Sequence, residues 1–257
     1  MTAVLAPVRD PDRAAAVAGA VHSWDLSTGV DGPGTRFVVF TGGCPLRCLY
    51  CHNPDTWRMR DSRRVTADEV MAELEKYRRF ISVAGGGVTV SGGEPLLQPA
   101  FTAELLRRSR ELGLHTALDT SGYLGDRASD ALLADTDLVL LDIKAWEPGT
   151  YRHLTGGEVA PTLRFARRLA ALGRPVWVRF VLVPGLTDGD ADVDGVAAFV
   201  ATLPNVEHVD VLPFHRLGAA KYERLGIPFR LAGVAPPGPE LLARVHARFR
   251  AHGVSSR

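Results

Sequence analysis

Cysteine is scarce in this chain: three in 257 residues, all within Cys44-Pro-Leu-Arg-Cys48-Leu-Tyr-Cys51. Three cannot pair off as disulfides, and such short spacings suit metal ligation better than bridging, so a disulfide-stapled secreted scaffold is excluded. An excess of charge of either sign is also lacking. With 30 Lys and Arg against 29 Asp and Glu, the net charge is +1, which argues against a general binder of nucleic acid or anionic membrane. Clustered arginines, as at Arg58, Arg60, Arg63 and Arg64, read as solvated faces. No apolar run approaches the length of a membrane span, and no signal sequence is readable, so a cytoplasmic protein in a reducing compartment is expected. Repeats of solenoid period and low-complexity tracts are missing too. Residues 1–20 are rich in Ala, Pro, Arg and Asp without aromatics or a steady period; they read as a mobile extension before one domain over 21–257.

What is there is the cysteine run itself. Three thiolates spaced CxxxCxxC can hold three irons of a cubane 4Fe-4S cluster, one sulfur each. No fourth cysteine exists, so one iron stays open to bind something that reacts. A structural zinc of Cys3His type, with His52 as fourth ligand, is the alternative; such sites usually bring two separated ligand pairs. Buried cysteines without a role are less expected in a loop punctuated by Gly and Pro.

From Phe37 onward, short apolar runs alternate with amphipathic segments. The runs are Phe37–Thr41, Gly87–Val90, Thr116–Leu118, Leu138–Leu141, Val176–Val183 and Val206–Leu212. The helical patterns are Thr66–Arg79, opened by a Thr66/Glu69 capping box, then Phe101–Leu112, Ala128–Ala134, Thr162–Leu172, Asp192–Leu203 and Pro239–Ala251. Six strand–helix units predict an α/β fold with a parallel sheet under outer helices. Six are too few to close an eight-stranded barrel, so an open, partial (β/α)6 TIM-like barrel is expected.

The polar groups fall at the C-terminal ends of the predicted strands. The cysteine loop follows the first strand, Ser91-Gly-Gly-Glu94 the second, and Asp119 and Thr120 the third. Asp142 and Lys144 follow the fourth, Arg179 lies in the fifth, and His215 follows the sixth. Barrel enzymes build their sites at that rim, so catalysis is expected there. Gly92 and Gly93 allow close backbone approach. Asp119 and Asp142, on adjacent strand ends, make a hard oxygen site or else two carboxylates bonded to backbone N–H groups.

The motifs extend the argument. Val30-Asp-Gly-Pro-Gly34, Gly43-Cys-Pro-Leu-Arg-Cys-Leu-Tyr-Cys-His-Asn53, Gly85-Gly-Gly-Val-Thr-Val-Ser-Gly-Gly-Glu94, Leu118-Asp-Thr-Ser-Gly122, Leu141-Asp-Ile-Lys144, Trp177-Val-Arg179 and Leu212-Pro-Phe-His215 stand in this order. Over residues 20–255 the chain resembles the radical S-adenosylmethionine enzymes, and within them the activating enzymes of glycyl radical enzymes. The resemblance implies the same (β/α)6 fold, a 4Fe-4S cluster on Cys44, Cys48 and Cys51, and S-adenosylmethionine as the molecule at the open iron. It implies that Gly93 meets the methionyl end of that cofactor and Glu94 its amino group. Asp142, Ile143 and Lys144 would contact the cofactor, and His215 its adenine or ribose. Tyr50, Cys51 and His52 would border the adenine, and Arg179 would reach cofactor or substrate. Asp119, Thr120 and Asp142 match positions that hold a monovalent cation, and Asp31 matches a segment near the substrate's glycine loop.

The implied partner is pyruvate formate-lyase or a similar glycyl radical enzyme, with flavodoxin or ferredoxin as reductant; a monomer is expected. Members acting on several other glycyl radical enzymes carry an inserted ferredoxin-like domain. Here there are no cysteines for it and no room between Asn53 and Thr66, which favours the short type. An activase of the anaerobic ribonucleotide reductase and a non-catalytic electron carrier remain the alternatives.

Overall fold

The computed structural model describes residues 17–257, and in it one eight-stranded sheet organises the chain. The strands are β1 Ala18–Thr28, β2 Thr35–Thr41, β3 Arg63–Thr66, β4 Gly87–Gly92, β5 His115–Thr120, β6 Leu138–Asp142, β7 Val176–Leu182 and β8 Val206–Pro213. Their order is β3-β1-β2-β4-β5-β6-β7-β8. From β2 to β8 every pairing is parallel, as the six predicted runs require. Two further strands, β1 and β3, extend this sheet antiparallel beyond β2. The sequence conceals them: β1 mixes small and polar residues without clean alternation, and β3 has only four residues.

The first strand also moves a boundary. Residues 1–16 of the expected extension lie outside the described residues. Ala18–Ala20, placed in the same extension, pair instead with Arg64–Thr66. Both backbone groups of Ala20 bond the Gln98 side chain, at 2.7 and 2.8 Å.

The helices are α1 Ala67–Val83, α2 Pro99–Glu111, α3 Asp130–Ala134, α4 Pro148–Thr155, α5 Ala160–Ala171, α6 Asp190–Ala201, α7 Ala219–Arg224 and α8 Pro239–Ala251. The predicted capping box opens α1: Thr66 N donates to Glu69 Oε2 at 2.7 Å, and Glu69 N donates to Thr66 Oγ1 at 3.2 Å. Such a cap stabilises by about 1 kcal/mol. Helices cover the outside of the sheet. Phe101, Leu105, Phe165, Leu169, Val196 and Phe249 bury against strand residues including Val88, Leu118, Val139, Val178 and Phe180. Each such side chain contributes about 1.5–3 kcal/mol by leaving water. At the far edge, Val209 and Val211 of β8 donate to the carbonyls of Ser255 and Arg257 at 2.9 Å, so the terminal residues cover an otherwise open strand edge.

Candidate active site

The parallel register aligns the strand ends. Thr41 faces Gly92, Thr120 faces Leu141, and Asp142 faces Arg179 across neighbouring strands. A cavity of about 410 Å³ opens there. Cys44, Cys48, Tyr50, Cys51, His52, Gly93, Asp119, Thr120, Asp142, Lys144, Arg179 and His215 all line it, and Asp31 reaches it from the β1–β2 connection. Of the residues singled out from the sequence, Glu94 and Ile143 alone do not line it.

The cysteine loop is held by backbone groups that other elements leave over. Arg47 N and Leu49 N donate to Thr155 O (2.8 Å) and Leu154 O (2.9 Å), carbonyls that the end of α4 cannot satisfy itself. Gly43 N and Cys44 N donate to Thr56 O (2.7 Å) and Trp57 O (3.2 Å). Leu46, Cys48 and Tyr50 bury with Leu154, Val183, Phe214 and Leu231. On the other side Glu94 N donates to Gly43 O at 2.9 Å. Gly92 has φ +117°, and a side chain at Gly93 would collide with the Gly43 carbonyl. The two glycines therefore press β4 against the cysteine loop, in addition to opening the wall of the cavity.

Cys48 is buried and Cys44 and Cys51 are half-buried, all three as free thiols. Burial pushes Cys44 up to about 12 and Cys48 up to about 11, so thiolates here call for a strong positive charge beside them. Among the described residues no three His, Cys, Asp or Glu converge so as to hold a single metal ion. His52 instead stacks on His215, ring centroids 4.1 Å apart. A mononuclear zinc thus finds no ligand set. Three soft sulfurs around one wall of the cavity, with no fourth, fit a cubane with one iron free.

Opposite the thiols sit paired charges. Arg179 Nη1 meets Asp119 Oδ2 at 3.1 Å, and Ser91 Oγ donates to the same oxygen at 2.6 Å. Lys144 Nζ donates to Asp142 Oδ2 at 2.8 Å and lies 5.7 Å from the Tyr50 ring centroid. Burial opposes the charge on Arg179, but Asp119, Asp142 and Asp31 outweigh it and hold its pKa above the ordinary value. The same contest, won chiefly by Asp142, holds Lys144 well above its own. Each carboxylate of the expected monovalent-cation site gives one oxygen to a side-chain cation, Asp119 Oδ2 to Arg179 and Asp142 Oδ2 to Lys144, and the Thr120 hydroxyl donates to Glu94 at 2.6 Å.

Glu94 departs from expectation. It is fully buried, its carboxylate accepting from Thr120 Oγ1, Ser121 N, Ser121 Oγ and Leu96 N. It caps the short 3-10 turn Pro95–Leu97 and ties the end of β4 to the turn after β5. No oxygen faces the cavity. Burial pushes this carboxyl up, against those four donors. Ile143 also turns inward, joining the main core.

Ser91 and Asn53, which the motifs contain without an assigned role, and Trp57, which they do not contain, also line the cavity. Ser91 carried the usable signal, standing at a strand end like its neighbours. Lys221 of α7 fixes the loop after the cysteines through Asn53 Oδ1 (2.8 Å) and Asp55 Oδ2 (3.0 Å). Nothing in the spacing of these two segments announces that contact.

Residues 38–194 match the Radical SAM superfamily. A pyruvate formate-lyase-activating enzyme of Staphylococcus epidermidis is 46% identical over 235 residues, spanning 89% of this chain and 94% of the relative. One of Staphylococcus aureus is 46% identical over 229 residues, or 86% and 91%. Among solved structures, a domain of a pyruvate-formate lyase-activating enzyme from Bacteroides vulgatus superposes with TM-score 0.57 at 26% identity, over 67% of this chain and 98% of that one. A radical SAM methyltransferase from Sphaerobacter thermophilus, 21% identical over 97% of this chain and 74% of its own, shares the fold with TM-score 0.64. The chain belongs to the radical SAM superfamily and, within it, to the family of pyruvate formate-lyase-activating enzymes.

Proposed function

We propose that this protein activates pyruvate formate-lyase by installing a radical on a glycine of that partner. The observation that carries the reading is the one cavity in which three thiols, two largely shielded carboxylate–cation pairs and a stacked histidine pair meet. Bound there, a 4Fe-4S cluster on Cys44, Cys48 and Cys51 together with S-adenosylmethionine would supply one-electron reductive cleavage and, through it, hydrogen abstraction from the glycine.

The chain's own residues position and shield that chemistry. Cys44, Cys48 and Cys51 hold three irons. Gly93 offers backbone to the methionyl end, and Asp142 and Lys144 present opposite charges within one strand end to its amino and carboxylate groups. His215 and His52 give the purine a flat, polar platform at the mouth, next to Tyr50. Leu46, Tyr50, Val181 and Leu212 keep water from the walls, as a reactive radical demands. A monovalent cation at Asp119, Thr120 and Asp142 would share the two carboxylates with Arg179 and Lys144. Arg179 is better read as fixing Asp119 toward the incoming glycine loop, which Asp31 meets from below. No residue serves as general base, because hydrogen-atom transfer moves proton and electron together. A flavodoxin or ferredoxin is the electron source, and one chain lines the whole cavity, so a monomer suffices.

The test is 5′-deoxyadenosine release by anaerobically reconstituted, dithionite-reduced protein, with and without a glycine-loop peptide of pyruvate formate-lyase. Release that rises with the peptide is expected. Release indifferent to it would move the partner to another glycyl radical enzyme, and no release from cluster-loaded protein would leave only electron transfer.

A further inference from the structure

A second cavity, of about 500 Å³, lies against the cysteine loop. The two cavities share a wall, since Cys48 and Trp57 line both. The lining of the second is apolar at Leu49, Trp57, Tyr222, Ile227 and Pro228, and basic at Arg47, Arg152, His153 and Arg230; no carboxylate lines it. All four basic residues are exposed. Arg152 is paired with Glu158 at 2.5 Å. Arg47 donates to the carbonyls of Cys44 (2.6 Å) and Leu46 (2.7 Å) and lies over the Trp57 ring. Among the described residues no carboxylate pairs with Arg47, His153 or Arg230. Tyr222 is buried with its hydroxyl unpartnered.

A positive rim around an apolar floor matches an acidic protein whose own contact surface is flat and apolar at the centre. The proposed reaction needs such a visitor. Each cofactor cleavage consumes one electron from outside, and this chain has no cysteines for a second cluster. The first cavity must hold the cofactor and admit the glycine loop, so its mouth is not free for a reductant. The second cavity reaches Cys48 without crossing it.

We propose that this hollow docks an acidic one-electron carrier protein of flavodoxin type. The carrier is oxidised by one electron and the cluster reduced by one, through the Cys48 and Trp57 side of the loop; no proton or group is exchanged. The inference rests on the cluster assignment of the proposed function and adds the place of electron entry.

The probe is purified flavodoxin, fully reduced, mixed anaerobically with the cluster-loaded protein in stopped flow. Parent and Arg152→Glu/Arg230→Glu proteins are compared at low and high salt. Arg47 is left intact because its loop carries the ligands. At low salt the double variant should be reduced at least tenfold more slowly by flavodoxin, with a flatter salt dependence. Its iron content and its dithionite-driven reduction should stay within about twofold of the parent, as expected when rim charges govern encounter alone. Flavodoxin reducing both proteins equally fast would overturn the proposal. So would an equal loss with dithionite, which would place the damage in the loop. So would weaker capture of pyruvate formate-lyase with flavodoxin unaffected, which would make the hollow a substrate surface. Calorimetric binding of oxidised flavodoxin to the same proteins reads the surface independently of cofactor cleavage. Failure of the proposed function would therefore show only in the missing 5′-deoxyadenosine.

Discussion

Two arginines, one fully buried and one half-buried, mark the two ends of the barrel, and their surroundings differ. Arg36, at the start of β2, is fully buried and bonded to neutral acceptors: Thr89 Oγ1 at 2.8 Å, Val88 O at 2.5 Å and His115 O at 3.3 Å, with His115 Nδ1 3.0 Å away. Burial lowers its pKa to about 10, with only weak relief from Asp137 and Asp31. Arg179, at the rim, is flanked by carboxylates and shifted the other way. The lower arginine holds shape: it ties β2, β4 and β5 together, and Thr89 passes the restraint on by donating to Asp31 O at 2.7 Å. The upper one builds an electrostatic site. A buried charge satisfied by backbone and hydroxyls fixes geometry, whereas one facing carboxylates prepares a cavity for polar ligands.

Substitutions can break that contrast, the largest effect coming from the cluster itself. Cys44→Ala, Cys48→Ala or Cys51→Ala should each reduce 5′-deoxyadenosine release to background and lower bound iron; full release by any of them would remove that residue from the ligand set. Next, Arg179→Leu strands Asp119 and should cost about 3–5 kcal/mol in urea unfolding, together with cofactor affinity. Arg36→Leu should cost less, about 1–3 kcal/mol, for acceptors left unpaired. Its functional mark should be a raised KM for the glycine-loop peptide with peptide-free cofactor cleavage unchanged. If both variants fail alike in cofactor binding, the division between the two ends is wrong.

Smaller effects sharpen the picture. His215→Ala should weaken S-adenosylmethionine binding about tenfold, about 1.4 kcal/mol, at constant iron content. Equal affinity in equilibrium dialysis would take the histidine out of the site. Thr66→Ala, far from both ends, should lower Tm by about 2–4 °C for the loss of about 1 kcal/mol of capping, with kinetics untouched.

The sequence made the cysteine loop and the rim legible because both are written in local terms: ligand spacing, and polar residues where an apolar run stops. Asp119, Asp142, Lys144, Arg179 and His215 all reach the cavity on that rule. Glu94 obeys the same rule yet turns away, because the proline after it starts a turn whose amide its carboxylate caps. Which side of a strand end a residue faces depends on the next few backbone angles, and periodicity carries no information about them. The helix α4 was unreadable as a pattern, being eight residues long with a Gly near its start, though Pro148 and Gly156 bracket it as a starter and a left-handed stop. That short helix supplies the carbonyls under the cysteine loop, so the support of the site was hidden while the site was plain. The basic hollow was hidden for another reason. It is assembled from residues 47–57, 152–156 and 222–230, which only the fold brings together.

The most direct test of the account is electron paramagnetic resonance of pyruvate formate-lyase incubated anaerobically with the reconstituted protein, reduced flavodoxin and S-adenosylmethionine. A stable organic radical should appear on the partner, in step with 5′-deoxyadenosine, and be absent when the target glycine is replaced by alanine. Deoxyadenosine accumulating with no radical on the partner would contradict the account.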